Sequence, residues 1–322
     1  MLPAEAKKKK CSIPDHDRDH SWHPFTQMRE YLELPRLEIE EGHGSWLYDS
    51  RGNRYLDGNA SIWTNVHGHN DPELNAALID QLGKLAHSTL LGINHSPASL
   101  LAHKLSELTG GRLTRTFFSD NGSNAVEIAL KLSFQYWQLA GHPERTEIIS
   151  LEDAYHGDTF GTMSVGGSDL FQHWCFPSLR IPAPQCVEYN GNIIHQSSQE
   201  SLNALDQLIE SKGSTVAALI LEPSVQGAAG MRLMPASYLA AISERCQNAG
   251  IHLILDEVFV GFGRLGSFLV GEAQNIHYDF LCLAKGISAG YLPLAATLTH
   301  ESIYEAFLGE FSELKAFFHG HT

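Results

Sequence analysis

The chain has 322 residues, of which 43% are hydrophobic and 18% charged, so it has the composition of a folded globular protein and not of a disordered one. Its formal net charge of −15 opposes non-specific binding to nucleic acid. The five cysteines are scattered without a CxxC pair, which argues against a zinc ribbon or a disulfide framework and favours a reduced, cytoplasmic setting. No apolar run reaches the ~18 residues of a membrane span, so we do not expect a membrane as a partner. Because of the negative net charge, we do not expect nucleic acid as a partner either.

The first third of the chain predicts a tail followed by small elements. Residues 1–20 contain a lysine run with no apolar segment behind it, which predicts a disordered tail and not a secretory signal. Residues 46–57 predict a β-hairpin with its turn at 50–53. Helices are predicted to begin at Asp71-Pro72 and to cover residues 97–108.

From residue 116 onward, strands and helices alternate. The predicted strands cover residues 116–119, 147–151, 216–221, 251–255 and 280–283. Helices are predicted at 121–140, 202–210 and 236–248. This alternation predicts a mainly parallel sheet that is covered by helices on both faces.

The last nine residues, 314–322, form an apolar run without a polar tail or a helix cap. A natural domain seldom ends in this way. We therefore expect that this sequence stops before the end of its last domain.

Two of the predicted strands end in a single ionisable residue. Asp256 closes the run Ile251-His-Leu-Ile-Leu, and Lys285 follows the run Phe280-Leu-Cys-Leu-Ala. Ligands bind beyond the carboxyl ends of parallel strands, so Asp256 and Lys285 are predicted to face one crevice. An amine and a carboxylate in that arrangement suit pyridoxal phosphate, whose aldehyde needs a lysine and whose ring nitrogen needs an anion.

A possible phosphate site lies where a strand meets a helix, at Asp120-Asn-Gly-Ser-Asn-Ala. Gly122 permits a close approach of the backbone, and Ser123 offers a hydroxyl beside the free amides of the helix start. An ordinary Ser/Asn helix cap explains the same residues, so this motif alone leaves both interpretations open.

Other classes of site have weaker support. Gly261-Phe-Gly-Arg-Leu-Gly266 matches GxGxxG, yet a poor helix follows it and no acidic residue stands at the offset of ~20 residues that a dinucleotide-binding unit requires. The pairs His67/His69 and His319/His321 do not make a ligand set, and there is no HExxH, so no metal is predicted. Without a GxSxG elbow, a hydrolase triad is not supported either.

Together the motifs resemble those of the class III, fold-type I pyridoxal-phosphate aminotransferases, in family order and over nearly the whole chain beyond the tail. The residues that carry the resemblance are Trp22-His-Pro-Phe-Thr-Gln-Met28, Val66-His-Gly-His69, His87-Ser-Thr-Leu90, Asn121-Gly-Ser-Asn-Ala-Val-Glu127, Tyr155-His-Gly-Asp-Thr159, Ile220-Leu-Glu-Pro223, Val225-Gln-Gly227, Asp256-Glu257, Gly261-Phe-Gly-Arg264, Lys285-Gly286 and Phe318-His-Gly-His-Thr322.

The resemblance implies an α/β fold with a mainly parallel sheet flanked by helices, plus parts of a small α+β domain. Residues 21–75 are then a segment that contributes to the small domain. Residues 76–322 are then the large cofactor-binding domain. Most of the C-terminal small domain is then missing, together with an arginine expected to bind the substrate carboxylate.

The resemblance also implies a role for each matching residue. Lys285 is similar to the lysine that holds the cofactor and moves the proton, Asp256 to the partner of the pyridine nitrogen, and Tyr155 to the aromatic residue beside ring and substrate. Gly122 and Ser123 are similar to residues that bind the cofactor phosphate. His321 and Thr322 are similar to a segment that reaches the phosphate in the neighbouring subunit, which implies an obligatory homodimer. The residues that match the substrate pocket are Phe25, Ile62, Trp63 and Gly320.

Within the class, the motifs are most similar to the branch that aminates 8-amino-7-oxononanoate in biotin biosynthesis. Members that use S-adenosylmethionine usually have tyrosine where this chain has Phe25, and tryptophan where it has Ile62. These departures resemble the branch that uses lysine, so both amino donors stay open. Other class III activities (on ornithine or 4-aminobutyrate, or an aminomutase), a dinucleotide-dependent oxidoreductase and an inactive fragment are the alternatives.

Overall fold

A computed structural model describes residues 13–167, 173–190 and 192–320. The chain divides into two compact units, of which the first comprises residues up to 59 together with 67–77, and the second comprises 60–66 and 78–322. In the part of the chain that is described, no helix is both long enough and apolar enough to cross a membrane.

The first unit contains a three-stranded antiparallel sheet in the order β1-β2-β3. Its elements are α1 (Ile13–His20), α2 (Met28–Glu33), β1 (Ile39–His43), β2 (Trp46–Asp49) and β3 (Arg54–Leu56). The predicted hairpin is confirmed, because β2 pairs with β3 across the turn at 50–53. Residues 13–20 differ from the prediction of a disordered tail, since they form α1, and Tyr31 and His23 both hydrogen-bond to Asp17 within it.

Asp49 closes the hairpin turn. One carboxylate oxygen accepts the backbone N–H groups of Arg51 and Asn53, and the other accepts the Asn53 side chain and the Tyr55 hydroxyl. These hydrogen bonds, the Asn53 side chain first among them, lower the pKa of Asp49 to about 2. A single aspartate thus satisfies most of the donors of this turn.

The second unit is built on a seven-stranded sheet in the order β4-β14-β13-β12-β9-β5-β6. Its strands are β4 (Arg115–Ser119), β5 (Glu147–Leu151), β6 (Leu179–Ile181), β9 (Val216–Leu221), β12 (His252–Asp256), β13 (Phe280–Leu283) and β14 (Ala295–Thr299). Strands β6, β5, β9, β12 and β13 are parallel neighbours, and β14 runs antiparallel to both β13 and β4. The predicted mainly parallel sheet is therefore confirmed.

Helices cover both faces of this sheet. The remaining elements of the chain are α3 (Ala60–Trp63), α4 (Pro72–Leu82), which crosses the division between the units, α5 (Ser96–Leu108), α6 (Gly122–Leu139), α7 (Phe160–Val165), β7 (Gln185–Tyr189), β8 (Asn192–Ser197), α8 (Gln199–Lys212), β10 (Val225–Gln226), β11 (Arg232–Leu233), α9 (Ala236–Ala249), α10 (Val270–Ala273), α11 (Glu301–Glu305) and the 3-10 turns Lys285–Ser288 and Phe311–Glu313.

Two apolar layers hold the helices to the sheet. In one layer Leu205 of α8 and Ile242 of α9 pack against strand residues such as Leu219, and in the other Ile128 of α6 packs with Ile220 and Ile254. All six residues of β9 are buried, as expected for a strand covered on both faces. Burial of this kind leaves only the strand ends free to carry polar groups.

Candidate active site

Asp256 and Lys285 lie at the carboxyl ends of two neighbouring parallel strands. Asp256 is the last residue of β12 and pairs in register with Cys282 of β13, and Lys285 stands two residues beyond the end of β13. Both residues line one cavity of about 730 Å³, which we call the Lys285 cavity; Trp63, Tyr155, Glu222 and Phe259 also line it. The predicted convergence of the two residues on one crevice is confirmed.

Asp256 is buried and held in place by two hydrogen bonds. Its Oδ2 lies 2.7 Å from Nδ1 of His156, and its Oδ1 accepts the backbone N–H of Val258 at 3.0 Å. The other ring nitrogen of His156, Nε2, is buried and has no hydrogen-bond partner among the described residues. A carboxylate fixed in this way is oriented before any ligand arrives.

Lys285 is largely enclosed and faces aromatic rings. Its Nζ lies 4.9 Å from the ring centre of Trp63 and 5.9 Å from that of Phe259. Burial lowers the pKa of Lys285, and the positive charge of Arg264 lowers it further. The negative charges of Asp256 and Glu222 raise it, but burial has the larger effect. A lysine with a lowered pKa can release its proton more readily than a surface lysine.

The start of α6, where a phosphate site is predicted, lines the Lys285 cavity. Asn121 caps the helix by accepting the N–H of Asn124, and the amides of Gly122 and Ser123 donate no hydrogen bond within the described residues. These free amides stand at the positive end of an 18-residue helix. A Cβ added at Gly122 would lie 2.6 Å from Cγ1 of Val258, so the close packing here needs a glycine.

Ser123 connects this helix start to the loop of residues 155–159. Its Oγ accepts the backbone N–H of Asp158 at 2.8 Å and that of Thr159 at 3.1 Å. Gly157, which directly precedes Asp158, has φ +129°, and an added Cβ there would overlap Ser123. The helix start and the loop are therefore built as one unit on the cavity wall.

Tyr155 lines the cavity through this same loop. Its hydroxyl donates to Asp158 at 2.8 Å, and both burial and that hydrogen bond raise its pKa. Tyr155 thus lines the same cavity as Lys285 and Asp256, while its place beside the cofactor ring and its catalytic role stay predictions.

The residues predicted for the substrate pocket do not all lie in this cavity. Trp63 lines the cavity and Ile62, its neighbour, has an exposed fraction of 63%. Gly320 lines a second cavity of about 630 Å³. Phe25 belongs to the first unit, where its side chain is exposed. His321 and Thr322 lie outside the described residues.

Ile62 and Trp63 belong to a strained turn. The four residues of α3 all have φ between 49° and 65°, which is the left-handed region and is costly for residues other than glycine. Arg264 donates to the backbone oxygen of Trp63 at 3.2 Å. The ring of Trp63 also packs against Phe259, with ring centres 4.5 Å apart. These contacts hold the tryptophan over the amine of Lys285.

The described residues fit pyridoxal phosphate. An enclosed amine, an anchored carboxylate and a helix start with two free amides line the same cavity, and each matches a different group of that cofactor. His156, whose Nε2 has no hydrogen-bond partner among the described residues, lines the same cavity.

His156, Asp158 and Glu222 are among the polar residues of the cavity to which the sequence analysis assigned no role. His156 and Asp158 follow Tyr155 directly, so the motif Tyr155-His-Gly-Asp-Thr159 could have pointed to them. Glu222 follows β9, and its position after a buried apolar strand is the same signal that identified Asp256.

The motif of residues 261–266 does not precede a long helix. These residues form turns, and the next helix, α10, has only four residues. A dinucleotide-binding unit requires a helix directly after its glycines. The structure therefore gives the oxidoreductase alternative no support.

One histidine from each of the two pairs noted in the sequence contacts another side chain. His69 lies 2.8 Å from Asp57, and His319 lies 2.9 Å from Lys131. A separate group, His277, Asp279 and His300, has the spacing of a metal site, but both ring nitrogens of His300 face backbone oxygens. The expectation of no metal stays a prediction.

Comparisons with known proteins agree with the geometry. Residues 26–322 match the family model described as aminotransferase class-III. A relative from Geobacter sulfurreducens, adenosylmethionine-8-amino-7-oxononanoate aminotransferase, is 48% identical over 97% of this chain and 70% of its own length. This chain thus spans about two thirds of that relative.

Solved structures show the same fold. The crystal structure of adenosylmethionine-8-amino-7-oxononanoate aminotransferase from Methanocaldococcus jannaschii has a TM-score of 0.88 and 43% identity, covering 95% of this chain and 69% of that one. An amine transaminase from an uncultivated Pseudomonas species in its PLP-bound form has a TM-score of 0.85 and 36% identity, covering 94% and 70%.

Proposed function

This chain belongs to the class-III aminotransferase family, and on that premise we propose that it aminates 8-amino-7-oxononanoate with pyridoxal 5′-phosphate as cofactor. The observation that carries the proposal is the convergence of Lys285 and Asp256 on one cavity from neighbouring strand ends. The substrate is proposed from the printed name of relatives that are up to 48% identical to this chain.

In this proposal each wall of the cavity binds one part of the cofactor. Lys285 would hold it through the amine, Asp256 would face the ring nitrogen, and the amides of Gly122 and Ser123 would bind the phosphate. Bound pyridoxal phosphate supplies an aldehyde that takes up the amine and a ring that accepts electrons.

The protein supplies proton transfer and charge. Lys285, whose pKa is lowered by burial, accepts and returns a proton at its Nζ as the amine moves from donor to acceptor. Asp256 is kept in one orientation by His156 and Val258, so its carboxylate would stay in place to face the ring nitrogen of the bound cofactor. Trp63 and Phe259 exclude water from Nζ of Lys285.

The amino donor is proposed to be lysine. Phe25 and Ile62 lack the hydroxyl and the second indole that the S-adenosylmethionine-using branch usually carries. S-adenosylmethionine, which the relatives' names contain, is the alternative that the test must separate.

A half-reaction on the cofactor-loaded protein tests the function. Lysine and S-adenosylmethionine are added separately while the absorbance of the cofactor is followed, and 8-amino-7-oxononanoate is then added to restore it. We expect lysine to bleach the chromophore and 8-amino-7-oxononanoate to restore it. Recovery with another keto acid or aldehyde, but not with 8-amino-7-oxononanoate, contradicts the proposed substrate.

Lys285→Ala should abolish both halves of the reaction while the protein stays folded. Lys212→Ala is the matched control, because Lys212 makes only a surface ion pair with Glu147. Circular dichroism of both variants establishes that they are folded. Turnover by Lys285→Ala at the rate of the control contradicts the assigned role.

We also propose that the protein works as a homodimer in the cytoplasm. The cytoplasmic assignment is supported by the free thiols of Cys186, Cys246 and Cys282. The dimer is supported only by the resemblance, in which the segment that ends in His321 and Thr322 serves the neighbouring subunit. Sedimentation of the loaded protein tests it, and a monomer with full activity contradicts it.

A further inference from the structure

Glu222 is a second buried carboxyl group in the Lys285 cavity. It follows β9 directly, lines the cavity and has an exposed fraction of only 5%. Burying a carboxyl group is costly unless it makes compensating contacts. The role proposed above for Asp256 does not account for Glu222.

Both oxygens of Glu222 accept hydrogen bonds from the backbone. Oε1 accepts the N–H of Gly227 at 3.0 Å, and Oε2 accepts that of Tyr155 at 3.4 Å. The two amides belong to different loops, one after β5 and one after β10. One side chain therefore ties together two separate parts of the cavity wall.

The loop at Gly227 leads back to Lys285. A Cβ added at Gly227 would lie 2.9 Å from the ring of Phe259, so the backbone there packs directly on that ring. The ring of Phe259 faces Nζ of Lys285. Displacement of either loop would thus change the surroundings of the amine.

We propose that Glu222 is a positioning residue, which holds the Tyr155 and Gly227 loops on the cavity wall and places a second negative charge beside Lys285. This inference rests on the role of Lys285 proposed above, but not on the identity of the substrate. Its consequence is that the charge on Glu222 regulates how readily Lys285 gives up its proton.

The charges around both groups give the sign of the effect. Lys285 is faced by Asp256 and Glu222, which favour its protonated form, and by Arg264, which opposes it. Glu222 is faced by His156 and Asp256, and burial raises its pKa to about 7. As the pH rises through 7, Glu222 becomes charged and retains the proton on Lys285.

Chemical labelling of Lys285 tests this inference without any substrate. The full chain, freed of cofactor, is acetylated with a limiting amount of acetic anhydride between pH 5.5 and 9, and the peptide that contains Lys285 is quantified by mass spectrometry. Only the neutral amine reacts, so the rate reports the unprotonated fraction. Surface Lys212 in the same sample serves as the internal reference.

Glu222→Gln removes the charge at nearly the same size, and its amide nitrogen then faces one of the two backbone N–H groups, so one hydrogen bond to the loops is lost. We expect the variant to label faster than wild type at pH 8, and the two rates to converge at pH 5.5, where Glu222 of the wild type is uncharged. Glu222→Asp keeps the charge and should label like wild type at pH 8. The exposed Glu210→Gln is the matched control and should label like wild type at every pH.

The wild type alone supplies a second reading, which holds even where Glu222→Gln fails to fold. Its Lys285 labelling should rise by less than tenfold per pH unit around pH 7, because Glu222 ionises there. In the loaded enzyme, the pH profile of kcat for Glu222→Gln should move to lower pH. A tenfold rise throughout, or equal labelling of wild type and Glu222→Gln at pH 8, overturns the inference.

Discussion

Asp256 makes two hydrogen bonds, and these determine what an amide can do at its position. In Asp256→Asn, the remaining oxygen can still accept the N–H of Val258, while the amide nitrogen faces Nδ1 of His156. The shape is preserved and the negative charge is lost. We expect kcat to fall by about 10²–10³-fold, the effect of removing one oriented electrostatic group from an active site.

The measurement is the steady-state rate of amine transfer, with unfolding in urea as the check on stability. Asp206→Asn is the matched control, since Asp206 pairs with Arg245 on the surface and should leave kcat unchanged. A near-normal kcat for Asp256→Asn removes the charge of Asp256 from the mechanism.

Single residues at strand ends could be predicted from the sequence for a physical reason. Asp256 and Lys285 each interrupt an apolar run, and a buried strand tolerates such a residue only where the strand ends. Glu222 has the same signal, but one of its two partners, the backbone amide of Tyr155, is 67 residues away in sequence, so only the folded chain reveals that contact. The same holds for the pairing of His156 with Asp256, which are 100 residues apart.

At the scale of elements, the long apolar strands and their helices could be predicted, and β14 could not. Residues 295–299 read Ala-Ala-Thr-Leu-Thr, which is too short and too mixed in polarity to stand out. The strand is buried because β13 and β4 pair with it on both sides. Its antiparallel direction is a property of the sheet, and local sequence carries no signal for it.

The junction of α6 with the loop of residues 155–159 depends on Gly157. Its φ of +129° is unfavourable for any other residue, and an added Cβ would overlap Ser123. We expect Gly157→Ala to lower the free energy of unfolding by about 3 kcal/mol, from backbone strain together with overpacking. The displaced Ser123 should also weaken binding of pyridoxal phosphate.

Gly141→Ala separates strain from overlap. Gly141 also has a positive φ, +86°, at the end of α6, but no atom lies within 4 Å of an added Cβ. Its substitution should cost only about 1 kcal/mol and leave cofactor affinity unchanged. Urea unfolding and cofactor titration of both variants make the comparison, and equal losses in the two would show that the contact with Ser123 is unimportant.

At the scale of the whole molecule, three buried groups make stability depend on pH. Burial raises the pKa of Glu222 and of Glu257 from 4.5 to about 7, and lowers that of His252 from 6.5 to about 4. The glutamates contribute stability that is complete below pH 4.5 and is lost as the pH rises through 7. His252 contributes stability that is complete above pH 6.5 and is lost as the pH falls through 4.

Glu257 permits a test of this dependence away from the Lys285 cavity. Its two oxygens accept the N–H groups of Val270 and Gly271 at the start of α10, which favours the charged form, but burial outweighs them. In Glu257→Gln, the amide nitrogen faces one of these donors, so the variant should be less stable than wild type at pH 5. Its free energy of unfolding should nevertheless fall less steeply with pH, because one titrating group is gone.

Between pH 5 and pH 8, the free energy of unfolding of the wild type should decrease by about 2–3 kcal/mol more than that of Glu257→Gln. Urea unfolding at each pH measures the difference, with the exposed Glu210→Gln as the control that should follow the wild type. The two slopes are compared and not the two stabilities, because the loss of a hydrogen bond in Glu257→Gln is the same at every pH. If the free energies of unfolding of wild type and Glu257→Gln change with pH in parallel, the prediction is wrong. In that case the two backbone amides keep Glu257 charged in the folded protein, and hydrogen bonding, not burial, determines its protonation.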